Sequence, residues 1–218
     1  MIASIDKLRR IRFVVDVDTQ KHFFLNGSRV CVQNHRQVLT NILRVIHWAH
    51  LGNIRMISTV QILGRYCNFL IDGNEGQKKV RHTLCRRCIS FDATDCTDLL
   101  PEIFEEYEQV IFCKRCFDPF VEPRADRMLS EFEADEFILI GAATEGAIRA
   151  TALGLLARHK KVTVLIDATG SYDKRVGETT LRLLRERGAK LTNTQRLLAS
   201  SPFQLWERGI LTRAPSKL

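Results

Sequence analysis

The chain has 218 residues, 45% of them hydrophobic, and a formal net charge of +8. That length and apolar content suit one well-buried domain, and no apolar run approaches the roughly 20 residues a membrane span needs. The residues after Met1, IASIDKLRRIRF, lack the unbroken apolar stretch of a signal peptide, so a single cytoplasmic domain over residues 1–218 is expected. The positive charge is spread over helix faces and not gathered in a tail, which favours an anionic small molecule over nucleic acid as partner.

Short β-branched runs alternate with longer stretches of helical period, the pattern of βαβ units in a parallel sheet. The first strand is expected over Ile11–Val17. Near its end, the alternation of Asp16 and Asp18 predicts both carboxylates on one face, where a cation must relieve their repulsion. A helix follows in HRQVLTNILRVIHWAHLG, with Val38, Leu39, Ile42, Leu43, Ile46 and Ala49 on one stripe and Gly52 as its stop. The second strand is expected over Ile54–Gln61.

From about Gly64 to Asp98 the chain reads as irregular. Within it, QKKVRHTLCRRC gathers Lys78, Lys79, Arg81, Arg86 and Arg87, read as solvated charges or as a means of drawing an anionic substrate inward. A short helix is expected near Leu99–Tyr107 and a third strand over Gln109–Cys113. This strand ends at Lys114, the obvious cation for the two carboxylates.

A fourth strand over Glu136–Gly141 runs into GAATEGAIRATALGLLARH, a strand-to-helix junction. Thr144 reads as its N-cap, Glu145 complements the helix dipole, and Ile148, Ala152, Leu155 and Leu156 form the buried stripe. Ala147 then falls in the first turn, where free N–H groups hold an anion. A strand over Lys161–Asp167, a helix in VGETTLRLLRERG carrying Leu181 and Leu184, and a strand over Ala189–Thr192 complete the set. The expected fold is α/β: a doubly wound three-layer α/β/α domain, Rossmann-like, on a six-stranded parallel sheet. Its core spans about residues 11–195, and residues 196–218 form a C-terminal extension in which Phe203, Leu205 and Trp206 are read as packing onto the domain.

In such a sheet, ligands bind beyond the carboxyl ends of the strands at the topological switch point. Asp18, Lys114 and Ala147 therefore form the candidate site: a carboxylate, an ammonium and a helix N-terminus, with a structural ion pair as the plainer reading of the first two. A cysteine at 147 would have its thiolate stabilised by the dipole and by Lys114. An alanine there does no covalent chemistry.

Among the seven cysteines, Cys85-X-X-Cys88 and Cys113-X-X-Cys116 have the spacing of a tetrahedral structural zinc site, with His82 and Cys96 as substitute ligands. Free thiols and a redox role are the other readings. No cofactor is otherwise required.

The first-strand D-x-Q-x-x-F (Asp18, Gln20, Phe23), the second-strand T-x-Q (Thr59, Gln61), Lys114 with Phe120, the G-x-x-T-E segment from Gly141 to Glu145, and the D-A at Asp167 and Ala168 occur in this order at successive strand ends. In these the chain resembles the isochorismatase-like hydrolase superfamily, the cysteine hydrolases that include nicotinamidases. The resemblance implies Asp18 as general acid or base, Lys114 as its electrostatic partner and position 147 as the nucleophile, here alanine. It further implies a cis peptide between Ala142 and Ala143, an oxyanion hole at Ala143 and Ala147, and substrate contacts from Phe23, Gln61 and Phe120.

True isochorismatases are similar in carrying a small residue at this position; there an aspartate protonates a vinyl ether and water completes the hydrolysis. The resemblance thus implies a cysteine-independent hydrolase of a small anionic molecule that assembles as a homo-oligomer. Two alternatives stay open: a catalytically degenerate binding or assembly protein, and a cysteine hydrolase whose nucleophile has been replaced by Ala147. Three departures stand: Cys116 occupies the position of the arginine two residues after the lysine, Asp16 stands where the family has an apolar residue, and STVQILG lacks the D-x-H metal motif of nicotinamidases.

Overall fold

A computed structural model describes residues 10–25, 28, 30–62 and 73–199. Seven parallel strands form one sheet: β1 (Arg12–Val17), β2 (Arg55–Gln61), β3 (Cys88–Phe91), β4 (Gln109–Lys114), β5 (Glu136–Ala142), β6 (Val162–Gly170) and β7 (Lys190–Thr192), in the order β3-β4-β2-β1-β5-β6-β7. All six expected strands are present. The seventh, β3, lies within the stretch read as irregular and pairs with β4 at the sheet edge, so the six-stranded expectation is corrected to seven.

The helices are α1 (Lys21–Phe24), α2 (His35–Leu51), α3 (Gly73–Gln77), α4 (Ile103–Glu106), α5 (Pro123–Glu131), α6 (Arg149–Ala157), α7 (Lys174–Glu186) and α8 (Thr194–Ala199). Period-two alternation divides the sheet into two cores. Phe13, Val15 and Val17 of β1 face a cluster with Met128 and Leu129 of α5, Ala152 and Leu155 of α6 and Leu184 of α7. Val14 faces a second cluster with Ile42, Val45 and Ala49 of α2 and Leu197 of α8. Apolar side chains thus cover both faces, which makes the domain three-layered.

β1 is the centre of the sheet, with β2 and β5 on its two sides. The crossover therefore reverses at β1, and the crevice at its carboxyl end is the switch point. Gly141 makes the close pairing of β5 on β1 possible. Its φ is +121°, and a Cβ built there would lie 1.9 Å from the Val17 carbonyl oxygen, so no other residue fits this conformation without moving the strand. Residues 200–218, with Phe203, Leu205 and Trp206, lie outside the described residues.

Candidate active site

β1 ends at Val17, and Asp18 takes a left-handed conformation with φ 49°. That turn carries its carboxylate away from the face of Asp16. Asp18 Oδ1 accepts from the Thr59 hydroxyl at 2.6 Å, and Oδ2 accepts from Lys114 Nζ at 2.7 Å. Both Asp18 and Lys114 are 0% exposed. Ile57 and Val17 belong to the α5–α7 core, so Thr59 and Gln61, at i+2 and i+4 from Ile57, point to that same side. Gln61 pairs in register with Lys114 and is its lateral neighbour on that face. Lys114 also donates to the Cys116 carbonyl at 3.0 Å, fixing the chain that leaves β4.

The expectation that Asp16 and Asp18 share one face and one cation is overturned. Asp16 turns to the α2 side, where it accepts from the hydroxyls of Thr19 and Ser58 and from the Lys79 ammonium. Gln109 extends this network by donating to Ser58 Oγ at 2.8 Å and to the Thr83 carbonyl at 3.0 Å. Lys79, read as one of a run of solvated charges, is buried with a side chain 5% exposed. The others of that run stay outside: Lys78 bridges exposed Glu75, and Arg87 bridges Glu108.

At the end of β5 the peptide between Ala142 and Ala143 is cis. The following turn, Thr144–Ile148, is wound as a π-turn in which Gly146 N and Ile148 N both donate to the Ala143 carbonyl, at 3.0 and 3.1 Å. Thr144 is inside this turn and is not its cap; its hydroxyl donates to the Gly170 carbonyl at 2.9 Å. Ala147 is 1% exposed. Its methyl belongs to the α5–α7 core, the side that Asp18 and Lys114 occupy. Glu145 accepts from the Ser171 hydroxyl and from Tyr172 N, both at 2.8 Å, and so ties the loop after β6 to the mouth of the site.

Two aromatic residues stand at that mouth. Phe117, 55% exposed, lies 3.7 Å from where a Cβ of Gly146 would be. Tyr172 has a phenol that burial, then Glu145 and Asp18, push well above its ordinary range. Of the expected substrate contacts, Phe23 is buried in the α2-side core with its ring 6.2 Å from that of Tyr172. Ala143 is 5% exposed. Phe120 is taken up by α6: a Cβ at Gly154 would lie 2.1 Å from its ring, and the Arg158 guanidinium stacks 3.8 Å above it.

Nothing in the sequence pattern pointed to His22, which is 3% exposed and close enough to Asp18 for the carboxylate to act on its charge. Nor did it point to Tyr172, which the extension of β6 to Gly170 carries to the mouth.

The zinc expectation is corrected. Cys88 pairs in register with Gln109, whereas Cys113 lies four residues further along β4, which separates them by roughly 13 Å along the strands. Cys85 Sγ instead contacts Met56 Sδ at 3.6 Å, and Cys116 Sγ points to the Asp118 carbonyl at 3.4 Å. Among the described residues, His82 and Cys96 included, no group of three or more His, Cys, Asp or Glu is arranged to hold a metal ion.

A family profile described as Isochorismatase domain matches residues 13–196. The chain belongs to the isochorismatase family. Solved structures agree on the fold. A ribonuclease from Caenorhabditis elegans superposes with a TM-score of 0.63 at 21% identity, covering 94% of this chain and 92% of that one. A cysteine hydrolase from Pseudomonas syringae pv. phaseolicola gives 0.69 at 18%, covering 86% and 91%, and a pyrazinamidase from Pyrococcus horikoshii in complex with zinc gives 0.65 at 18%, covering 84% and 99%. No curated protein matches. In this chain, the described residues include no group of three or more His, Cys, Asp or Glu arranged to hold a metal ion. No helix among those residues is long and apolar enough to cross a membrane.

Proposed function

We propose that this member of the isochorismatase family is a cysteine-independent hydrolase of a small anionic molecule, with Asp18 as general acid, Lys114 as its partner and Gln61 as a substrate contact. The observation that carries the reading is the buried Asp18–Lys114 pair at the carboxyl edge of the sheet, on the same side as an alanine at position 147. Lys114 Nζ donates to Asp18 Oδ2 at 2.7 Å. A proton from the Lys114 ammonium passes through Asp18 to the terminal carbon of a vinyl ether, water adds to the oxocarbenium ion that forms and returns its proton to the Asp18–Lys114 pair, and the resulting hemiketal collapses with cleavage of its C–O bond, releasing an alcohol and a ketone. Gln61, beside Lys114 in register, holds the substrate's polar group.

Cys116, two residues beyond Lys114, turns its thiol to the Asp118 carbonyl and does not stand in for the missing nucleophile. The burial of Ala147 in the core equally favours the second reading, a degenerate member that binds without turnover. The third, a cysteine hydrolase with its nucleophile replaced, is addressed by Ala147→Cys. The test is loss of the vinyl ether of isochorismate on incubation with the full chain, with Ala147→Cys assayed in parallel against nicotinamide and an RNA oligonucleotide as a further substrate. Turnover of isochorismate by the alanine protein supports the hydrolase. Amide cleavage that appears only in Ala147→Cys supports the third reading, binding without any turnover the degenerate one, and RNA cleavage an activity like that of the C. elegans ribonuclease.

A further inference from the structure

The turn that delivers Asp18 continues directly into α1: Gln20 N donates to the Asp18 carbonyl at 2.7 Å and Phe23 N to the Gln20 carbonyl at 3.1 Å. Gln20 anchors this turn by accepting from Gln61 N at 2.9 Å and donating to the Gln61 and Gln77 carbonyls at 3.0 and 2.7 Å. His22 is thereby held beside the site on a short, tied segment, its ring 4.0 Å from that of Phe23.

Its two nitrogens differ. Nδ1 meets the Gly76 carbonyl at 2.5 Å, which requires a proton on Nδ1 and leaves a lone pair on Nε2. Nε2 is buried and has no hydrogen-bond partner among the described residues. An unpaired buried acceptor is costly, and in a binding crevice it is a place for a ligand's donor. Burial keeps the imidazole below its ordinary pKa, against the Gly76 carbonyl and Asp18, which act to raise it; the ring is therefore a neutral acceptor.

We propose that His22 is a ligand-binding residue of the Asp18 site, its Nε2 accepting the hydrogen of a hydroxyl carried by a small carboxylate. The proposal rests on the reading of this site as one for small anions and narrows it: the substrate bears a hydroxyl as well as a negative charge, and His22 selects for it.

The experiment is calorimetric titration of the full chain with benzoate and with 2-, 3- and 4-hydroxybenzoate, in wild type, His22→Phe and His22→Gln. At least one hydroxybenzoate is expected to bind wild type about fivefold or more tightly than benzoate, the value of one net hydrogen bond. That ratio is expected to collapse toward one in His22→Phe and to survive in part in His22→Gln, which keeps an acceptor. Imidazole nitrogen NMR of the wild type gives a reading that needs no variant: the Nε2 resonance should move with the preferred hydroxybenzoate and not with benzoate. A preference that persists in His22→Phe, an Nε2 signal that does not respond, or hydroxybenzoates no tighter than benzoate each overturn the proposal while leaving the anion site standing. Failure of every benzoate to bind overturns the small-anion reading and the proposal with it.

Discussion

Lys114 Nζ lies 2.7 Å from Asp18 Oδ2, and the two side chains are 0% and 1% exposed. A pair this dry is held together by mutual need, because either charge left alone in the interior is uncompensated. Lys114→Met is expected to destabilise the fold by about 3–5 kcal/mol in urea denaturation. The double variant Asp18→Asn, Lys114→Met should recover much of that loss, since it leaves no unpaired charge. A double variant as unstable as the sum of its parts would show that the pair is not coupled.

Lys78 and Lys79 are adjacent in sequence and opposite in environment. Lys79 is buried on Asp16, while Lys78 bridges Glu75 with side chains 60% and 62% exposed. Lys79→Met should cost several kcal/mol, about 3–5 by analogy with other broken buried pairs, and Lys78→Met should fall within about 0.5 kcal/mol of wild type. Thermal melts of the two variants decide it.

His22 gives the stability of the fold a pH dependence with a definite sign. Its imidazole is lowered in the folded state chiefly by burial, so the unfolded chain takes up the proton first as pH falls. The contribution is present above the ordinary histidine value of about 6.5 and is lost as pH drops below it. Wild type should therefore lose more stability than His22→Gln between about pH 7.5 and pH 5.5, a window that brackets that value, measured by urea midpoints; equal losses would remove His22 as the cause.

Burial, followed by Glu108, Asp16 and Cys88, raises the Cys85 thiol to about 11. Below that value the thiolate fraction grows tenfold per pH unit, and the thiolate is the reacting species. Alkylation at Cys85, followed by peptide mass spectrometry, should be slower than for free cysteine at about pH 8, with a rate that climbs steadily through about pH 9. A fast, pH-independent reaction would contradict the partly buried placement of this thiol.

The central strands were legible because their apolar runs are continuous and buried on both faces, as parallel strands require. β3 was not: CISF is a short edge strand, half-buried at best, set between charged residues. The candidate site residues lie at the ends of β2 and β4 and just beyond the end of β1, where a doubly wound sheet places a ligand crevice. What the sequence hid was direction. Asp18 follows Asp16 by two, but strand alternation stops at Val17, and the left-handed turn at Asp18 sends the two carboxylates to opposite layers and to different lysines. The cysteine spacing misled for a related reason, since β3–β4 register, invisible in the spacing, sets Cys88 and Cys113 apart along the sheet.

Acid catalysis by Asp18 without a cysteine is tested most directly by the rate of isochorismate consumption. Three proteins are compared: wild type, wild type with every thiol alkylated under mild denaturation and refolded, and Asp18→Asn. Alkylation should leave the rate within about twofold of an unmodified refolded control, while Asp18→Asn should lower it by about 100-fold or more, the scale of a lost general acid. Turnover that survives in Asp18→Asn, or that vanishes on alkylation of a protein still folded, would contradict a proton delivered by Asp18 alone.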